Sequence, residues 1–147
     1  MILDKRCEFA DAVALNLGAA GSYLVGDVYD TQNLRDLGAG NTLYLVIAVQ
    51  TTATSGGAAT GQFNLVHDTV PGLGSATVLL SSAAFTVASM IAGVTLLAIA
   101  LPMEGIAYKR YLGIQQVTGV AAFTAGKIDA FLVMDYAKFR HYADAIN

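Results

Sequence analysis

The chain has 147 residues, 55% of them hydrophobic and only 13% charged, with a net charge of −3. Globular domains usually carry about a quarter charged residues. So little charge excludes a disordered chain, and the acidic balance excludes a nucleic-acid binder that works by neutralising phosphates.

The length suits one domain. Cys7 is the single cysteine, so no disulfide can form within the chain. The start, Met1-Ile2-Leu3-Asp4-Lys5-Arg6, has no apolar run after its basic pair and is a poor signal peptide, so a cytoplasmic start is expected. The charges are also unevenly spread. From Leu37 to Met103 the one formal charge is Asp68. Within that stretch, residues 83–101 are uncharged and long enough to span a bilayer. However, Thr86, Ser89, Gly93 and Thr95 interrupt them, no basic or Trp/Tyr anchors flank them, and their Thr, Val and Ile content suits two strands and a turn.

In chain order, residues 2–17 allow two readings. Leu3, Cys7, Ala10, Ala14 and Leu17 form a helical stripe that Gly18 could stop, or the segment is an extended arm. Residues 18–22 are a flexible break. A strand is expected at Tyr23–Tyr29, then a polar connection and a turn at Gly38-Ala39-Gly40-Asn41. The clearest strand is 43–51, with Leu43, Leu45, Ile47 and Val49 on one face and Tyr44, Val46, Ala48 and Gln50 on the other. Residues 52–61 are a small, polar hairpin loop. Along 62–68, Phe63, Leu65 and His67 alternate with Gln62, Asn64, Val66 and Asp68, so one face is expected to meet water. After a loop at 69–75 come strands at 76–80, 85–90, 94–101, 107–118 and 127–134, with a turn at 119–126. Along the last strand, Ile128, Ala130, Leu132 and Met134 oppose Lys127, Asp129, Phe131 and Val133.

About eight short strands with Gly-rich turns predict an all-β fold, a jelly-roll-like β-sandwich with extended N- and C-terminal arms. The expected division is 1–22 as arm or short helix, 23–135 as sandwich and 136–147 as an aromatic, charged tail.

The sequence offers no catalytic, metal or cofactor residues. His67 and His141 lie in no metal-ligand spacing, and His67 and Asp68, as strand neighbours, point to opposite faces. Asp27, Asp30, Asp129 and Asp135 read as strand-end carboxylates. No Gly-x-Ser-x-Gly elbow or phosphate loop occurs. What remains is surface. Strands 43–51 and 127–134 are apolar on both faces, whereas a sandwich buries only its inner ones. Tyr44, Val46, Phe131 and Val133 are therefore interface candidates, to be covered by another subunit or by the chain's own termini. Lys109, Arg110, Lys138 and Arg140 are candidates for orienting contacts with an acidic protein patch, or simply a solvated face.

Several runs are similar to the capsid cement (head-decoration) proteins of short-tailed phages of the Bordetella-phage type. They are Met1-Ile2-Leu3-Asp4-Lys5, Phe9-Ala10-Asp11-Ala12, Asp36-Leu37-Gly38-x-Gly40, Leu43-Tyr44-Leu45-Val46-Ile47-x-Val49, Arg110-Tyr111-Leu112, Thr124-x-Gly126-Lys127, Ala130-Phe131-Leu132 and Asp135. Their shared order over nearly the whole chain carries the resemblance. The Ala-rich 83–101 and the 52–61 loop depart from it. The resemblance implies a jelly roll on the outer surface of an icosahedral virion, made in the host cytoplasm. It would bridge copies of an HK97-like major capsid protein as a homo-oligomer (dimer or trimer), without cofactor, nucleic acid or membrane. Two other classes are a carbohydrate-binding β-sandwich, which would need Tyr108 or Tyr111 as an exposed platform, and a small membrane protein using 83–101.

Overall fold

The computed structural model describes residues 7–32, 41–102 and 107–136. They form nine strands: β1 (Glu8–Ala14), β2 (Gly21–Asp30), β3 (Tyr44–Thr54), β4 (Thr60–Asp68), β5 (Thr77–Ser81), the two-residue β6 (Phe85–Thr86), β7 (Thr95–Ala100), β8 (Tyr111–Gly119) and β9 (Ala125–Val133). A 3-10 turn, Val87–Ser89, follows β6.

Two antiparallel sheets face each other. One has the order β1-β9-β3-β7, the other β2-β8-β4-β5, with β6 pairing β4. Successive strands cross from sheet to sheet, apart from the β4–β5–β6 run, which stays in the second. This is the two-sheet, eight-strand order of a jelly roll. Period-two alternation sends Leu45, Ile47 and Val49 of β3, Phe63 and Leu65 of β4, Leu112 and Ile114 of β8, and Ile128, Ala130 and Leu132 of β9 into one core. Gln116 is fully buried among them. Its Nε2 donates to the Leu15 carbonyl (3.0 Å) and to Thr118 Oγ1 (2.8 Å), which ties the second sheet to the β1–β2 connection.

The N-terminal segment differs from both expectations. Residues 8–14 are neither helix nor free arm but an edge strand on β9, so the sandwich begins well before residue 23. The pairing slips between Glu8 and Ala10 and again between Ala10 and Val13. Ala12 has φ 51°, and its N–H donates to Asp129 Oδ1 at 2.7 Å. These bulges reset which face each residue takes. Phe9 and Ala10 are consequently both buried, and the three-to-four spacing that mimics a helical stripe arises from a kinked strand. The residues before Cys7 and after Tyr136 lie outside the described ones.

Residues 83–101 fold as β6, the 3-10 turn, a turn at Ala92–Gly93 and β7. Among the described residues no helix is long and apolar enough to cross a membrane.

Candidate functional surface

The register brings the four apolar interface candidates together. Tyr44 pairs with Val133 and Val46 with Phe131, all on the outer face of the first sheet. That patch is not open, however. Val46 and Phe131 are buried within the single chain, although neither belongs to the inner core, and Tyr44 and Val133 are half-buried. One cover is Tyr136, whose ring lies 6.3 Å from that of Tyr44. Of the two covers the sequence allowed, Val46 and Phe131 thus have one within the chain itself, where they pack as structural residues.

The basic candidates are also engaged. Arg110 meets Asp30 through two bonds, Nε to Oδ1 at 2.7 Å and Nη2 to Oδ2 at 2.9 Å, and lies 5.0 Å over the Tyr111 ring. The guanidinium holds the Asp30 carboxyl below the usual carboxylate range, and the pair raises Arg110 in turn. Lys109 Nζ donates to Thr77 Oγ1 at 3.0 Å. Lys138 and Arg140 lie outside the described residues.

The outer face of β4 was expected to meet water, yet Asn64, Val66 and Asp68 are buried. The 69–76 connection folds back across this sheet, and Leu73 fills the space that a side chain at Gly113 would take. Asp68 fastens the connection: Oδ1 accepts from the Thr69 N–H (2.6 Å) and Oδ2 from the Ser75 N–H (3.1 Å). These bonds to the charged form lower its pKa.

His67 faces inward at the same end. Its Nδ1 accepts the Lys109 N–H at 3.2 Å, which assigns the proton to Nε2. The ring meets Tyr108 edge-on at 6.4 Å, and the Tyr108 hydroxyl donates to the Pro102 carbonyl at 2.6 Å. Burial, and then the Lys109 charge, push His67 below the ordinary histidine value; Asp68 opposes them. The folded state thus disfavours protonation. The stability this contributes is present above the ordinary pKa and is lost as pH falls through the lower, folded-state value. Thermal melts below about pH 6.5 should therefore fall more steeply for the wild type than for His67→Asn, which keeps an acceptor but cannot titrate. Equal slopes would show that protonation of His67 is not linked to folding.

The described residues contain no group of three or more His, Cys, Asp or Glu able to hold a metal ion. A cleft of about 260 Å³ between β1 and β2 is lined by Glu8, Asp11, Gly26 and Asp27 among others. Tyr108 and Tyr111, the platform residues a carbohydrate-binding module would need, are half-buried and occupied by His67 and Arg110.

A different surface emerges from charge placement, one that residue-by-residue reading had missed. At one end of the sandwich lie the connections 15–20, 55–59, 82–94 and 120–124, and none contains a charged residue. At the other end lie Asp30, Asp68, Lys109, Arg110 and Asp135, while Glu8, Asp11, Asp27, Lys127 and Asp129 sit within strands.

The fold is a jelly roll in which Tyr108 and Tyr111 are engaged and four connections at one end carry no charge. A protein-family model described as Bbp16 matches residues 9–132, and the chain belongs to that family. The family's name points to a Bordetella phage protein. No curated protein matches the chain.

Proposed function

We propose that this chain is a structural virion protein that binds the outside of an icosahedral phage head and cements its major capsid proteins together. The observation that carries the reading is membership, over residues 9–132, of a family whose name points to a phage. The jelly roll supports it. The capsid protein it suits is of the HK97-like type, which the sequence resemblance implies, and the chain acts there as a homo-oligomer without catalysis. Repetition over a symmetric shell lets weak individual contacts add to firm attachment.

Co-sedimentation with expanded shells that lack their decoration protein tests this. The protein should pellet with the shells and raise their melting temperature. A protein that stays in the supernatant at micromolar concentration removes the cement role.

A further inference from the structure

We propose that the charge-free end of the sandwich is the surface that meets the shell, and that it docks on an equally uncharged, aliphatic patch of the capsid protein. This rests on the capsid-binding reading and specifies which part of the molecule does the binding.

Three observations carry it. The first is composition in space. Four connections that are distant in sequence converge at this end, and none has a charge, whereas the opposite end holds two acid–base partners and further carboxylates. Charged groups are depleted from the buried centres of protein interfaces. A solvated end would have no reason to be so bare.

The second is aliphatic exposure. Leu17, Ile91, Val94 and Val120 are 36%, 52%, 39% and 76% exposed, and Val120 is the most exposed large hydrophobic residue described. Val120 also has φ 65°. A β-branched residue in the left-handed region is strained, and such strain concentrates at functional positions.

The third is rigidity. Ser55 Oγ donates to the Ala122 carbonyl (2.7 Å), the Gly57 N–H donates to Ser55 Oγ (3.1 Å), and the Thr124 N–H donates to the Thr54 carbonyl (2.8 Å). The Ala92 N–H donates to Thr52 Oγ1 at 3.0 Å. A tip held this way loses little entropy on docking.

The occupant follows from size and chemistry. Four partly exposed aliphatic side chains fall well short of the roughly 800 Å² per partner of a stable interface. They cannot hold a second copy by themselves, but they suffice where the same molecule is held to a repeating surface by other contacts. A bilayer would call for a belt of basic and aromatic residues around the tip; the four connections contain no basic residue, and beside them lie Lys127, paired with Ala14 and Thr51, and Tyr23, whose hydroxyl donates to the Ala19 carbonyl.

The test compares single substitutions in the full-length protein. Val120→Asp suits the left-handed backbone better than Val does, and Ile91→Asp adds a charge at an already exposed position. Val70→Asp, 51% exposed in the 69–76 connection at the opposite end, is the control. Circular dichroism and melting establish that each variant folds. Against shells that bind the wild type, Val120→Asp and Ile91→Asp should bind roughly ten-fold more weakly or worse, because an unpaired charge is buried, and Val70→Asp should bind normally. Wild-type affinity in both tip variants overturns the end assignment while leaving the cement role intact. So does weakened binding confined to Val70→Asp. A fall in oligomer mass by light scattering for Val120→Asp makes the occupant a second copy. Wild-type pelleting with phosphatidylcholine vesicles that Val120→Asp abolishes makes it a membrane. Either result overturns the proposal. Failure of the wild type itself to bind shells removes both readings together.

Discussion

Phe131→Ala is expected to lower the melting temperature by about 10–15 °C. Phe131 is 2% exposed on the outer face of β9, opposite Val46 of β3, which is fully buried. Truncating a buried Phe costs about 3–5 kcal/mol through lost transfer energy and the cavity left behind. For a chain of this size each kcal/mol moves the midpoint by roughly 2–4 °C. Phe131→Asp goes further, placing an unpaired charge in the same apolar site, and should yield no cooperative melt. From sequence alone, an Asp at 131 or at 44 reads as an interface probe that leaves the fold intact if the side chain is on the surface, and as an unfolding change if it is core. Burial of Phe131 within one chain makes unfolding the expected outcome there. Wild-type melting of Phe131→Ala, with a lower mass by light scattering, would return the residue to the interface.

Gly26→Ala should destabilise by roughly 2–5 kcal/mol, the left-handed backbone and forced displacement taken together. Gly26 has φ +68°, and a Cβ there would overlap the carbonyl oxygen of Phe9 and lie 2.9 Å from its carbonyl carbon. Both obstacles are backbone of the neighbouring edge strand, so no side chain can turn aside to relieve them. β1 would have to move off β2, opening the seam over Phe9 and Val25. Hydrogen exchange should rise first in β1. Gly56→Ala, with nothing within 4 Å of its Cβ, should melt like the wild type. If Gly26→Ala does so as well, the two edge strands do not meet in this register.

Much of the sandwich was legible from alternation. Leu45, Ile47 and Val49, and Ile128, Ala130 and Leu132, were placed on common faces by period two alone, and those faces form the core. A break between β3 and β4 was legible from its run of Ser, Gly and Ala, but not as the hairpin loop expected over 52–61: β3 runs on to Thr54, β4 starts at Thr60, and the two lie in different sheets. β1 was not, because a strand with two bulges loses the period that identifies it. The cover over β4 was not, because it depends on a distant Gly113 admitting Leu73. The ion pair of Asp30 and Arg110 spans 80 residues and leaves no local trace.

The two-sided apolar strands show the same division. Alternation identified their outer faces correctly, and the register joined Tyr44 to Val133 and Val46 to Phe131. What composition cannot say is whether another molecule or the chain itself covers such a face. Here the chain itself buries Val46 and Phe131.

The scarcity of charge between Leu37 and Met103 was a property of the sequence itself. The all-β reading came from the short alternating strands and uncharged Gly, Ser and Thr turns within that stretch. Where the missing charge would matter was decided by the jelly-roll crossings. They carry the 55–59 and 82–94 connections of that stretch to the same end as 15–20 and 120–124 from outside it. Segments tens of residues apart become one surface because strand pairing sets their position, and no local pattern encodes that pairing.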